Sequence, residues 1–92
     1  GVCLACSGHS VDPEQRSRGI GTSAPITLEN DVWIGANATV CGGVTIGAGS
    51  VIGAGSVVTH DIPAGVVAAG APCRVIRPIT EADKIKPEQI IF

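Results

Sequence analysis

Ninety-two residues suffice for one small domain with a thin core, and a net charge of −2 gives no general attraction to nucleic acid. Aromatic residues are confined to Trp33 and Phe92, which excludes a bulky globular interior and favours a narrow, uniform one. No apolar run reaches the length of a membrane span, and Gly1–Ser10 lacks the charged start and long apolar stretch of a secretory signal, so a cytoplasmic protein is expected.

The chain opens in strand-like sequence. Val2 and Leu4 read as a coil entered midway, so residues 1–7 are expected to form a partial coil. Such an open end exposes strand edges, which points to a fragment of a longer domain or to a chain protected by assembly. Cys3, Cys6, Cys41 and Cys73 are the four cysteines. The run Cys3-Leu4-Ala5-Cys6 has no matching second pair, and reduced thiols are expected in preference to a zinc site or a redox couple.

Gly8 to Pro25 interrupts the strand pattern. Gly8, Ser10, Asp12, Pro13, Gly19, Gly21, Ser23 and Pro25, with Glu14, Arg16 and Arg18 between them, read as a polar excursion loop over residues 8–25. Long structured excursions tend to carry function. This one carries His9, which is either a solvated loop residue or a general base, a task that suits a side chain with an ordinary pKa of about 6.5. Asp12 either orients an imidazole or simply begins the Asp-Pro turn.

From Ile26 to Asp61 the sequence repeats in sixes. Leu28, Ile34, Val40, Ile46, Ile52 and Val58 stand six apart, and two positions before each stand Ile26, Val32, Ala38, Val44, Ser50 and Ser56, a register that continues to Ile62. Three positions after the aliphatics come Asp31, Asn37, Gly43, Gly49, Gly55 and Asp61, all turn formers. Apolar residues two apart followed by a turn describe one short strand and one bend. A strand this short buries nothing alone and must stack on copies of itself, as short repeats do. Closing a triangular coil with three such units sets residues eighteen apart above one another, at a spacing of about 4.8 Å. Leu28 then lies beneath Ile46, Ile34 beneath Ile52 and Val40 beneath Val58. Asn37-Ala38-Thr39 fits a glycosylation acceptor, but Asn37 reads as a corner.

Beyond Ile62 the period loosens through Pro63, Gly65, Gly70 and Pro72 while Val66, Val67, Val75 and Ile76 keep an apolar stripe, so residues 62–79 read as an irregular last coil. Thr80 followed by Glu81, Ala82, Asp83 and Lys84 offers the cap and acidic first turn of a short C-terminal helix that Pro87 would end. Residues 80–92 form a tail whose end, Gln89–Phe92, is apolar enough to pack on the coil or a partner.

The hexads resemble those of the hexapeptide-repeat acyltransferases. Gly8-His9-Ser10-Val11-Asp12-Pro13-Glu14-Gln15-Arg16 is similar to the segment carrying the catalytic histidine in the maltose, galactoside and nodulation-factor O-acetyltransferases. Val32-Trp33-Ile34-Gly35, Ile52-Gly53-Ala54-Gly55-Ser56-Val57-Val58-Thr59 and Ala69-Gly70-Ala71-Pro72-Cys73-Arg74-Val75-Ile76-Arg77 are similar to the same group. The resemblance implies an all-β fold, a single-stranded left-handed parallel β-helix with an excursion loop and a short C-terminal helix. General crossover rules alone would favour the right-handed choice.

The resemblance also implies transfer of an acetyl group from acetyl-CoA to a hydroxyl of a sugar or similar small acceptor. His9 would be the general base, with no metal required, in a homotrimer. Trp33, Ala36, Ala54, Thr59, His60, Arg74 and Arg77 fall at its cofactor-binding positions. Two depart from the commonest pattern. His60 replaces a usual Lys, making phosphate contact weaker and more dependent on pH, and Ala36 replaces a frequent Ser. Each has a plainer reading: Trp33 as cover for a flat face or a subunit contact, the arginines as solvated charges, the alanines as tight corners.

His9 and His60 alone do not supply the three-histidine zinc site of the carbonic anhydrases that share this fold. The family's amino-terminal portion, which supplies sugar contacts, has no counterpart here. A catalytically inactive scaffold or self-assembling module therefore stands as the alternative, with an antibiotic- or amine-acetylating relative behind it.

Overall fold

The computed structural model describes residues 1–9, 11–19 and 21–85, with His9 and Thr22 described by their backbone only. The fold is all-β, with one short α-helix and one turn of 3-10 helix among the described residues. In chain order the elements begin with β1 (Cys3–Ala5), β2 (Ser7–His9), α1 (Pro13–Ser17), β3 (Gly21–Ser23), β4 (Thr27–Leu28) and β5 (Trp33–Ile34). There follow β6 (Thr39–Cys41), β7 (Thr45–Ile46), β8 (Val51–Ile52), β9 (Val57–Val58), β10 (Val66–Gly70) and β11 (Cys73–Pro78).

Strands of two or three residues stack in parallel along three ladders. Leu28 pairs with Ile46 on the first, Ile34 with Ile52 on the second and Val40 with Val58 on the third, so each residue faces the one eighteen positions on. Between ladders the chain must turn sharply. Asp31, Asn37, Gly43, Gly49 and Gly55 all take the left-handed backbone conformation there, with φ between 59° and 79°. Asn37 is thus a corner residue, one of the few types other than glycine that accept this conformation.

Burial follows the repeat. Val40, Ile46, Ile52 and Val58 point inward and are buried, as are Ala38 and Val44 from the positions two before. The residues between them, Thr39, Thr45, Val51 and Val57, face outward and are half-buried. Leu4 pairs with Val40, thirty-six positions on, so the excursion adds the length of one further rung without displacing the stack.

Three features depart from the sequence reading. First, the excursion is a hairpin: Ser7, Gly8 and His9 of β2 pair antiparallel with Ser23, Thr22 and Gly21 of β3, and α1 sits between them in the chain. Second, the register shortens after β9. The pattern puts Ile62 above Val44, whereas the structure places it above Ile46, sixteen residues away, and Val67 and Ala68 keep that offset over Val51 and Ile52.

Two buried hydroxyls accommodate the shortened rung. Ser50 Oγ donates to Pro63 O at 2.6 Å and accepts from Val66 N at 3.3 Å; Ser56 Oγ donates to Gly53 O at 2.7 Å and accepts from Gly70 N at 3.1 Å. Backbone groups that lose a regular ladder partner are thereby satisfied, as buried polar groups must be.

Third, the last strand reverses. β11 runs antiparallel to β10, with Gly70 opposite Cys73 and Val67 opposite Arg77, and a bulge falls between Val67 and Ala68. The helix suggested after Thr80 is a single 3-10 turn, Glu81–Asp83. Pro87 and the tail Gln89–Phe92 lie outside the described residues. Among the described residues no helix is long and apolar enough to cross a membrane.

Candidate functional site

The hairpin that bears His9 leaves the stack at the corner between the ladder of β1, β6 and β9 and the ladder of β4 and β7. Its foot is pinned by a hydrogen bond from Ala24 N to Cys6 O at 2.8 Å. Gly42 lies against this foot: a Cβ there would meet Cys6 O and Ala24 O at 3.2 Å each, so glycine lets the two chain segments depart side by side. Ala5, Cys6, Ser7, Gly8, Ala24 and Gly42 line a shallow hollow at that point. His9 lies one residue beyond the hollow, with its backbone opposite Gly21.

At the start of α1 the Asp12 carboxylate accepts from Gln15 N at 2.9 Å, and Pro13 occupies the first turn. That is a helix cap, so Asp12 has the local structural role that its Asp-Pro context allows.

Thr59 and His60 stand at the same corner as the hairpin foot, farther along the stack. Thr59 follows β9, which pairs with β6, which pairs with β1. Thr59 Oγ1 lies 2.9 Å from His60 Nδ1. The neighbouring Asp61 turns its carboxylate to accept from Thr45 N at 2.8 Å, holding the corner where the register shortens.

Ala36 and Ala54 occupy a different corner, between the ladder of β5 and β8 and that of β6 and β9. They are exposed and stacked: Gly55 N donates to Ala36 O at 2.9 Å, and Gly35 N donates to Ile52 O at 2.7 Å. The approach is closer than any side chain at Gly35 would permit, since its Cβ would fall 2.5 Å from Ala54 N. Above them Gly53 N donates to Ala68 O at 2.9 Å, extending a column of small residues to a third rung.

Trp33 projects from the outer face of β5 and is 69 % exposed. It lines a hollow of about 350 Å³ with Val51, Val67, Arg77, Ile79 and Asp83. Arg77 and Asp83 form a two-pronged ion pair, with Nη2 to Oδ1 at 2.7 Å and Nη1 to Oδ2 at 2.8 Å. Asp83 Oδ2 also accepts from Thr80 N at 2.8 Å. Hydrogen bonds from Arg77, then that from Thr80 N, pull the Asp83 carboxyl down to about 2, while the carboxylate raises the Arg77 guanidinium above its ordinary value. Arg74 is exposed on β11 opposite Ala69. Its neighbour Cys73 is buried, and desolvation raises its thiol. Cys3 and Cys6 are exposed free thiols.

The expected cofactor-binding residues thus form two groups within one chain. Trp33, Ala36, Ala54, Arg74 and Arg77 cluster on the β5–β8–β10–β11 ladder and its adjoining corner. Thr59 and His60 share the opposite corner with the His9 hairpin. The ladder of β1, β6 and β9 lies between them. Asp83 was not among the expected site residues; the only sign of it is the Thr80-to-Asp83 spacing, which reads as a helix start rather than as a partner for an arginine.

Residues 25–60 match the family described as bacterial transferase hexapeptide (six repeats). The galactoside O-acetyltransferase of Escherichia coli (strain K12) is 58% identical over 83 residues, which cover 90% of this chain and 41% of that protein. A solved galactoside acetyltransferase in complex with coenzyme A superposes with a TM-score of 0.89 at 50% identity, covering 100% of this chain and 48% of that one. A maltose O-acetyltransferase from Clostridium difficile 630 superposes with a TM-score of 0.85 at 46% identity, over 88% of this chain and 43% of that one. The chain therefore spans about two fifths of the length of the curated relatives it matches.

Proposed function

We propose that the chain, whose hexads match the bacterial transferase hexapeptide family, is a hexapeptide-repeat acyltransferase that transfers an acetyl group from acetyl-CoA to a hydroxyl of a sugar or similar small acceptor. In this reading the three parallel ladders are the sides of a left-handed β-helix. Residues 1–7 are a partial coil, 8–25 the excursion, 26–61 the regular coils, 62–79 the irregular last coil and 80–92 the tail.

His9 acts as general base. As the acceptor oxygen attacks the thioester carbonyl, the imidazole takes the hydroxyl proton and a tetrahedral oxyanion forms. Collapse of that intermediate breaks the carbon–sulfur bond, and the departing thiolate of coenzyme A recovers the proton from the imidazolium. No covalent acyl-enzyme is needed.

Coenzyme A brings an amide-bearing arm and several phosphates. Exposed backbone at the Ala36 and Ala54 corners suits the arm, Trp33 offers a flat apolar surface, and Arg74, Arg77 and His60 with Thr59 suit the phosphates. The observation that carries the proposal is the placement of the His9 hairpin at the corner shared with Thr59 and His60. The other cofactor residues stand across the β1–β6–β9 ladder, which favours a site completed between subunits. A homotrimer, in which one copy presents its hairpin corner to the small-residue corner of the next, assembles the full set.

The test is thiol release from acetyl-CoA in the presence of a panel of sugars and amines, comparing the chain with His9→Ala. General-base loss lowers turnover by about 10²- to 10⁴-fold. Turnover that survives the substitution removes His9 from the mechanism. Because the chain spans two fifths of its relatives, a second reading applies, that of a scaffold that binds the donor without transferring it. Binding of coenzyme A with no thiol release under any acceptor identifies that case.

A further inference from the structure

We infer that Asp83 is a positioning residue for the acyl donor, acting through Arg77; the inference rests on the reading of Arg77 as a contact for an anionic group of coenzyme A. A guanidinium carries five N–H groups in a fixed plane, and it meets a phosphate best when two parallel N–H bonds on one edge point the same way. An arginine free to sweep its long side chain presents such an edge only part of the time.

Arg77 is not free. One Nη1 hydrogen goes to Asp83 Oδ2 at 2.8 Å, the other to Pro78 O at 3.2 Å, and one Nη2 hydrogen goes to Asp83 Oδ1 at 2.7 Å. Three of the five N–H groups are committed: the two on the end of the guanidinium to Asp83, and the Nη1–H on the side away from Nε to Pro78 O. What remains is the Nε–H and the outer Nη2–H, the one parallel pair on its side edge.

Asp83 is itself held, because its Oδ2 accepts from Thr80 N at 2.8 Å. Backbone therefore fixes the carboxylate and the carboxylate fixes the guanidinium. The latter lines the hollow that also contains the exposed Trp33 and the apolar Val51, Val67 and Ile79. The Arg77 side chain remains 49% exposed, so an anion can reach the free edge from solvent. The arrangement suits a ligand with an apolar or planar body against Trp33 and a phosphate at the rim.

A solvent-exposed ion pair contributes little to folding, so a role for Asp83 in binding separates cleanly from a role in stability. The test is calorimetric titration of coenzyme A into the full chain, with Asp83→Asn, Arg77→Ala and the double variant, alongside thermal unfolding of each. Asp83→Asn keeps the shape but removes the charge-assisted fork. We expect binding weakened about tenfold, the equivalent of one charge-assisted hydrogen bond, with the unfolding midpoint unchanged. In the Arg77→Ala background the same substitution should change affinity less than about twofold, because a residue acting through Arg77 has nothing left to act on.

A loss of equal size in both backgrounds assigns Asp83 a separate structural role and overturns the inference. So does tighter binding by Asp83→Asn, which makes the carboxylate a competitor of the phosphate. If Arg77→Ala weakens binding and Asp83→Asn does not, the positioning role alone falls. If Arg77→Ala leaves affinity unchanged, the reading of Arg77 as a donor contact falls as well.

Discussion

Replacing Gly35 with alanine tests how closely the rungs approach at the corner that carries Ala36 and Ala54. The new Cβ would lie 2.5 Å from Ala54 N and 2.9 Å from both Ala54 Cα and Gly53 C, where ordinary contact begins at 3.4 Å. All three neighbours are backbone, so no side chain can swing aside, and the rungs must part by nearly 1 Å. That movement strains the bonds from Gly35 N to Ile52 O and from Gly55 N to Ala36 O. Overpacking of this kind costs about 1–3 kcal/mol, with rigid neighbours placing Gly35→Ala at the upper end. In a domain of this size such a loss lowers the unfolding midpoint by about 10–20 °C.

Gly55→Ala is the control. Nothing lies within 4 Å of a Cβ there, but φ is +70°, so the substitution costs about 1–2 kcal/mol through backbone conformation alone. Circular dichroism melts of the two variants, followed by coenzyme A titration of each, separate the effects. Gly35→Ala should melt lower and bind the donor more weakly than Gly55→Ala. If the two melts coincide, the corner is looser than the distances say and the packing argument fails.

Ser50→Ala should cost about 1–3 kcal/mol in chemical denaturation, because Val66 N and Pro63 O lose their shared partner inside the stack. A loss below about 0.5 kcal/mol would show that the shortened rung does not depend on that hydroxyl. The Asp83 carboxyl, lowered to about 2, gives a pH signature of defined sign. The small stabilisation that this exposed pair gives is fully present above the unfolded carboxyl value of about 3.9 and is lost as pH falls through about 2. A carbon-13 titration of the Asp83 carboxyl reads this directly; a midpoint at or above about 3.9 would mean that the Arg77 fork does not form in solution.

Much of the stack was legible because one physical requirement recurs at fixed spacing. A chain that turns every sixth residue needs left-handed corners, and Asp31, Asn37, Gly43, Gly49 and Gly55 advertise them. The inward aliphatics then settle which residues pair, and the Leu28–Ile46, Ile34–Ile52 and Val40–Val58 partners follow. The stacking of Ala36 on Ala54 follows from the same eighteen-residue period.

The slip at Ile62 was not legible. Ile62 continues the aliphatic register, and nothing in Ser50 or Ser56 distinguishes a small inward filler from a hydroxyl that replaces a lost backbone partner. The hairpin of β2 and β3 escaped for another reason: strands of three polar and small residues carry no alternation to read. Gly70 and Pro72 signalled a turn, but the direction of β11 after it depends on pairing with β10, a tertiary contact. The Arg77–Asp83 fork depends in turn on that reversal, which brings the two side chains to one rim.

The reversal of β11 bears on how the molecule behaves in a crowd. A ladder of identical parallel rungs has no inherent length, and its last edge invites another chain to continue it. Here the terminal edge on one side runs the opposite way, is kinked by the bulge beside Val67 and ends in Pro78, which has no N–H to offer. A second copy arriving end-on would meet a strand of the wrong polarity and an interrupted row of partners. The same few residues that shape the rim around Arg77 therefore act as a stopper against fibre growth from that edge.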